Sequence, residues 1–218
     1  MASYFVTGTD TGVGKTYTSA ALLHALRAGG ASAVGMKPVA SGCEMTAEGL
    51  RNEDALALQA ASNPRPAYAL VNPFALPEPT APQIAAERAG VRVTLQPMLD
   101  AYRALQGLSD QVVVEGVGGW LAPMADDLEQ ADLVKALDLP VILVVGLRLG
   151  CLNHARLSAR AIVADGCRLH GWIGSGVDVL EPRYIELVAR ALPVPCLGVL
   201  PHAPGADPAS LAAKLAIG

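Results

Sequence analysis

Residues 7–16 read TGTDTGVGKT, a glycine-rich run that ends in Gly14, Lys15 and Thr16. Such a run can cradle phosphates. Its backbone N–H groups face the anion, the lysine reaches the β- and γ-phosphates, and the Ser/Thr hydroxyl ligates Mg²⁺. The usual spacing is G-x-x-x-x-G-K-[ST], whereas Gly8 and Gly14 enclose five residues. Context decides between a phosphate loop and a chance glycine-containing turn. The run follows the apolar YFVTG and precedes Ala20, Leu23, Ala25 and Leu26 at helical spacing, so a strand, a turn and a helix meet where an anion would sit.

Ligands of such folds lie at the carboxyl ends of the strands, and other apolar runs also end in polar residues. Glu115 follows three valines in VVVEGVGGW. An unpaired carboxylate there would be expensive to bury. Mg²⁺ beside the Thr16 hydroxyl would compensate it, and a structural ion pair is the alternative. Lys37, in MKPVASG, stands between an apolar run and a proline. It is suited to bridging a transferred phosphoryl group and its acceptor, though an ordinary strand-end lysine would look the same. Asp54, in RNEDALALQ, opens a helix, where an acid is favoured by the helix dipole alone.

The elements that must position these groups alternate. Strands are expected at YFVTG, ASAVGMKPV, DQVVVEG, LPVILVVG, LHGWIGSGV and PCLGVLP. Helices are expected at Lys15–Ala28, Asn52–Ala61, Leu95–Gln106, Glu129–Leu137, Asn153–Ala164 and Tyr184–Ala191. The strands are continuously apolar, as when helices cover both faces, so the fold class is α/β with a mostly parallel, doubly wound sheet. The proline-rich stretch 63–82 cannot be regular throughout and reads as a surface excursion beside the site. A length of 218 residues suits a single domain, 1–218.

Hydrophobic residues are 52% and charged residues 17%, the pattern of a globular chain. A net charge of −4 with dispersed basic residues leaves no footprint for nucleic acid. Cys43, Cys151, Cys167 and Cys196 form no C-x-x-C pair, so buried thiols in a reducing compartment are expected. No signal-like segment opens the chain. The longest apolar run, LPVILVVGLRLG, is too short for a membrane span and is broken by Arg148. A cytoplasmic protein with no membrane or nucleic-acid partner follows. His24, His154, His170 and His202 lie too far apart for a metal spacing.

The segments YFVTGTDTGVGKT, KPVASG, GLRNEDALALQ, VNPF…EPTAP, VVVEGVGGW, LPVILVVGLRLGCLNHA and HGWI together resemble the dethiobiotin synthetases over nearly the whole chain. In that family the phosphate loop carries the extra residue. The resemblance implies a P-loop NTPase sheet, a homodimer with a shared site, and Mg²⁺ with ATP as co-substrate. The other substrates would be 7,8-diaminononanoate and CO₂. One amine takes up CO₂ as a carbamate, ATP phosphorylates it, and the second amine displaces phosphate to form dethiobiotin.

Carried onto this chain, the resemblance makes Lys37 and Lys15 catalytic and Thr16, Asp54 and Glu115 the Mg²⁺ set. The nucleotide would contact Gly12, Val13, Gly14, Lys15, Thr16 and Tyr17, then Asp54, Glu115, Gly116, Val117 and Gly118. Its base would meet Ser175, Gly176, Pro201, His202 and Ala203. Thr11, Ser41 and Gly118 would contact the diamine. Its carboxylate needs a separate anion site, which the helix start at Gly150, Cys151, Leu152 and Asn153 can supply. Where this chain has Ser175, family members commonly have an asparagine that reads adenine, so base selectivity is an open feature.

Two rival readings share the phosphate loop. Partitioning and nitrogenase-type ATPases carry a second lysine five positions before the Gly-Lys lysine, where this chain has Asp10. A non-catalytic nucleotide-binding regulatory module would not need Lys37, Ser41, Asp54 and Glu115 together.

Overall fold

Both faces of each central strand are apolar, and this builds a sheet covered on two sides. The computed structural model describes residues 3–176, 181–203 and 205–217. The chain runs through β1 (Tyr4–Gly8), α1 (Lys15–Ala28), β2 (Ala33–Met36) and β3 (Val39–Ala40). A hairpin of β4 (Glu44–Thr46) and β5 (Gly49–Arg51) precedes α2 (Glu53–Ala61), the single turn α3 (Tyr68–Val71) and β6 (Phe74–Ala75). Helices α4 (Pro82–Ala89) and α5 (Leu95–Gln106) lead to β7 (Gln111–Gly119), α6 (Gln130–Leu137) and β8 (Val141–Gly146). Then come α7 (Cys151–Ala164), β9 (Leu169–Ser175), α8 (Arg183–Ala191), β10 (Cys196–Leu200) and a 3-10 segment at Pro208–Lys214.

Six strands form one parallel sheet in the order β10-β9-β8-β1-β7-β2. Phe5, Val114 and Leu143 point to one face, among side chains of α4 to α8. Tyr4, Val6, Val113 and Ile142 point to the other, against α1 and α2. Each such buried side chain contributes roughly 1.5–3 kcal/mol. Beyond β1 the chain turns toward β2, whereas beyond β8 it turns toward β9. The order reverses beside β1, which opens a crevice at the carboxyl edge where the phosphate loop begins.

The structure corrects several boundaries. The expected strand 31–39 stops at Met36, because Pro38 has no N–H for the ladder. β7 continues to Gly119, past the expected Gly116. α7 begins at Cys151, two residues before the expected Asn153, because Gly150 takes the left-handed N-cap position. Asn52 and Glu129 are N-caps, not the first helical residues. The expected strand 169–177 stops at Ser175, and Val177 lies outside the described residues. The proline-rich stretch holds α3 and β6, and Val71, Asn72 and Leu76 within it are buried, so it is partly interior. Cys43, Cys151 and Cys167 are buried, but Cys196 is exposed, because β10 lies at the sheet edge; all four are free. Among the described residues no helix is long and apolar enough to cross a membrane.

Candidate active site

The loop between β1 and α1 is anchored by its one apolar side chain. A Cβ on Gly8 would come 2.8 Å from a Val13 methyl, and one on Gly146 would come 2.9 Å from the other. Two glycines thus make room for Val13, which holds the loop against the sheet. Gly14 adopts φ 83° as the N-cap of α1 and offers no side chain to the first-turn N–H groups. Those donors remain available to an anion, and the left-handed conformation suits glycine. Lys15 Nζ donates to the Asp10 carbonyl at 2.9 Å. Burial, and then the ammonium of Lys37, lowers the Lys15 pKa to about 8 against the pull of Glu115, Asp54 and Asp10.

Behind the loop lies a buried charge cluster. Lys37 Nζ donates to Glu115 Oε1 at 2.6 Å and to the Gly116 carbonyl at 3.1 Å. It also lies 3.3 Å from Asp54 Oδ2. Thr16 Oγ1 donates to the same Glu115 oxygen at 2.8 Å. Burial alone would lower the Lys37 pKa; the carboxylates of Glu115 and Asp54, with the hydrogen bonds they accept, more than reverse this, and it stands above the ordinary lysine value. Glu115 is fully buried, and its Oε2 has no hydrogen-bond partner among the described residues. A buried carboxylate oxygen left over, a second carboxylate open to the cavity and a hydroxyl are hard donors that suit Mg²⁺. No group of three His, Cys, Asp or Glu among the described residues is placed to hold a metal.

Thr11, Gly12, Gly14, Lys15, Thr16, Tyr17, Lys37, Ser41, Asp54, Val117 and Gly118 all line one cavity of about 800 Å³. Glu115 and Gly116 lie beneath its wall. Asn52, Ala122 and Pro123 also line it, and sequence reasoning gave them no role; Pro79–Pro82 line it too, at the end of the proline-rich stretch expected beside the site. The proline run was the available signal.

The strand end over the cavity is held by Gln130, fully buried at the start of α6. Its amide donates to Gly119 O at 2.6 Å and Trp120 O at 3.1 Å, and its carbonyl accepts from Val117 N at 3.1 Å. Gly118 bends the strand end there at φ 59°.

A second cavity, of about 320 Å³, adjoins Gly12, Gly14 and Tyr17 and is closed by Ser175, Gly176, Pro201, His202 and Ala203. The Ser175 hydroxyl rests against the loop, for a Cβ on Gly14 would lie 2.6 Å from it. The remaining expected residues are not brought to either cavity: Val13 is buried beneath the loop, and Gly150, Cys151, Leu152 and Asn153 line neither. Their helix, like α1, starts from a left-handed glycine with no side-chain cap. Asp10 pairs with Arg148 at 2.8 Å, which ties the phosphate loop to the segment just before this helix start.

The chain matches the AAA domain family model over residues 2–210. It is 58% identical to the ATP-dependent dethiobiotin synthetase BioD of Xanthomonas oryzae pv. oryzae (strain PXO99A), with 98% of this chain and 96% of that one covered. The same name belongs to a relative from Xylella fastidiosa (strain 9a5c), also 58% identical, with 99% and 97% covered. Among solved structures it resembles a ParA family ATPase from Chlorobium tepidum TLS, with TM-score 0.60 and 12% identity over 99% of this chain and 91% of that one. It also resembles the MinC:MinD cell division protein complex of Aquifex aeolicus, with TM-score 0.57 and 16% identity over 94% and 82%. At such identities the structural likeness speaks for the fold alone.

Proposed function

The chain belongs to the ATP-dependent dethiobiotin synthetases, and from that premise we propose how its residues carry out the synthesis. It is an ATP-dependent ligase that makes dethiobiotin. We propose 7,8-diaminononanoate, CO₂ and ATP as the substrates and Mg²⁺ as the metal. The observation that carries the residue assignment is the convergence of Lys15, Thr16, Lys37, Ser41 and Asp54 on one cavity with Glu115 beneath it.

One amine of the diamine adds to CO₂ and loses a proton, forming a carbamate. A carbamate oxygen attacks the γ-phosphorus of ATP and ADP leaves. The second amine then attacks the carbamoyl carbon and loses a proton, the bond from that carbon to the phosphate oxygen breaks, phosphate departs and the ring closes. Both reacting partners of the phosphoryl transfer are anions, so the protein's main task is to place positive charge between them. Lys15 serves the γ-phosphate, with loop N–H groups from Gly12 to Tyr17 on the other oxygens. Lys37 serves the carbamate and the transferred group. Thr11, Ser41 and Gly118 position the diamine. Thr16, Asp54 and Glu115 would hold Mg²⁺, which neutralises phosphate charge when bound.

The base belongs in the smaller cavity, against Ser175, Gly176 and Pro201 to Ala203. The diamine's carboxylate belongs at the helix start Gly150–Asn153 of a second copy. That assignment is supported by the first-turn N–H groups of Leu152 and Asn153, which no side chain caps, and by these residues lining neither of the two cavities described above. A homodimer with shared sites follows. The whole chain serves as one domain. Four free cysteines fit a reducing, cytoplasmic setting.

Incubation with diamine, ¹³C-bicarbonate and MgATP tests the reading: mass spectrometry should find dethiobiotin carrying one ¹³C. ATP hydrolysis without labelled product would overturn it and favour a partitioning-type ATPase.

A further inference from the structure

Three groups assigned to the reaction come from three separate segments: Lys37 after β2, Ser41 after β3 and Asp54 at the start of α2. Among the described residues no sheet ladder joins them: β2 ends at Met36, and Pro38 has no N–H with which to carry it on past Lys37. Their backbones are joined instead through two side chains of the proline-rich stretch and the N-cap side chain of α2.

Asn72, 4% exposed, donates from Nδ2 to the Lys37 carbonyl at 2.7 Å and to the Phe74 carbonyl at 3.2 Å. The N–H of Lys37 donates to the Val71 carbonyl at 2.7 Å, so both backbone groups of Lys37 are held from this side. Tyr68 Oη donates to Asn72 Oδ1 at 3.1 Å and accepts from the N–H of Asn52 at 2.8 Å. Asn52 in turn donates from Nδ2 to the Ser41 carbonyl at 3.3 Å and accepts from Ala55 N at 3.2 Å. That last bond caps the helix on whose first turn Asp54 stands. The Arg51 guanidinium, 4.2 Å above the Tyr68 ring, fixes the ring from outside.

We infer that Asn72, Tyr68 and Asn52 form a positioning relay that sets the relative places of Lys37, Ser41 and Asp54. None of the three need touch a reacting atom. Two links are saturated: both Nδ2 protons of Asn72 and its Oδ1 are used, and the Tyr68 phenol both donates and accepts. A chain of this kind transmits the loss of any one member, because the neighbour is left with an unpaired polar group in a buried place.

The inference rests on the roles proposed for Lys37, Ser41 and Asp54, and formation of labelled dethiobiotin by the unmodified chain checks those roles separately. Tyr68→Phe keeps the ring and its contact with Arg51 but removes the hydroxyl from the middle of the relay. Displacing the reacting groups should lower kcat/KM for the diamine about tenfold or more. Affinity for ATP, measured by equilibrium binding without diamine and without Mg²⁺, should stay within about twofold, because the phosphate loop lies outside the relay and the part proposed for Asp54 is played through the metal. Asn72→Ala should do the same, and the double variant should lose no more than the worse single one, since both break one chain. Should Asn72→Ala not fold, Tyr68→Phe decides alone. Wild-type kcat and KM in folded Tyr68→Phe would overturn the relay. So would a loss of Mg²⁺-free ATP binding in step with turnover, which would mark a general loosening of the fold.

Discussion

The ammonium of Lys37 lies 2.6 Å from Glu115 Oε1 and 3.3 Å from Asp54 Oδ2, so a lysine occupies the space between the two carboxylates proposed to hold the metal. If its charge is needed between carbamate and γ-phosphate, Lys37→Ala should lose about 10²-fold or more in kcat. ATP affinity should change less, since Lys15 and the loop N–H groups remain. The same variant frees both carboxylates, so Mn²⁺ should bind more tightly than to the unmodified protein when nucleotide is absent. Near-normal turnover would remove Lys37 from the mechanism.

Glu115→Gln keeps the shape of the side chain and removes its charge. Turnover should then need more Mg²⁺, because a hard cation loses an anionic ligand. The buried Lys37 also loses its nearest partner, and breaking a buried pair from one side costs about 3–5 kcal/mol. A Mg²⁺ titration of activity and urea unfolding measure the two effects. An unchanged metal requirement with a large stability loss would return Glu115 to a structural role.

Lys15, lowered to about 8 by burial and then by Lys37, is partly neutral in the free protein at mildly alkaline pH. ATP phosphates in contact favour the charged form, so nucleotide binding should draw in protons, more at pH 8.5 than at pH 7, approaching about one per ATP. Calorimetry in buffers of different ionisation heat reads this directly, and Lys15→Met should abolish it. Between pH 8 and the ordinary lysine value of 10.5, the unfolded chain binds more protons at this site than the folded one. The contribution of Lys15 to stability therefore rises with pH across that window.

Ser175 closes the base cavity with one hydroxyl, which fits several bases about equally, whereas an asparagine amide donates to and accepts from adenine at once. By analogy with base-edge reading in DNA, a lost two-bond contact forfeits roughly 1–3 kcal/mol of discrimination. CTP and GTP should therefore serve this protein comparatively well, and Ser175→Asn should restore a preference for ATP. The comparison is kcat/KM for the three nucleotides in both forms. A strong ATP preference untouched by the substitution sinks the idea.

Asn153 stands in the first turn of α7 and lines neither of the two cavities assigned to the substrates. If a second copy presents it to the diamine's carboxylate, Asn153→Asp sets like charges together and should raise KM for the diamine while leaving that for ATP alone. Sedimentation at assay concentration should show a dimer. A fully active monomer refutes the shared site.

The amino-acid sequence alone determined what depends on local chemistry. Apolar runs on both sides of each strand dictated a covered parallel sheet, and Gly14, Lys15 and Thr16 marked an anion site at a helix start. Glu115 stood out because a carboxylate behind three valines has to be compensated. Tertiary structure alone decided what compensates it. Lys37, 78 residues away in the chain, supplies the charge, and Asp54, unremarkable at a helix start, becomes its second partner. The relay through Asn72, Tyr68 and Asn52 left no periodic or compositional mark, since hydrogen bonds between distant loops depend on how the sheet brings strand ends together. The same cause hid Gln130, whose three bonds to the β7 end exist only once α6 packs there. Residue types announce which charges need partners; only the folded chain, by fixing distances of a few ångströms between segments far apart in sequence, selects them.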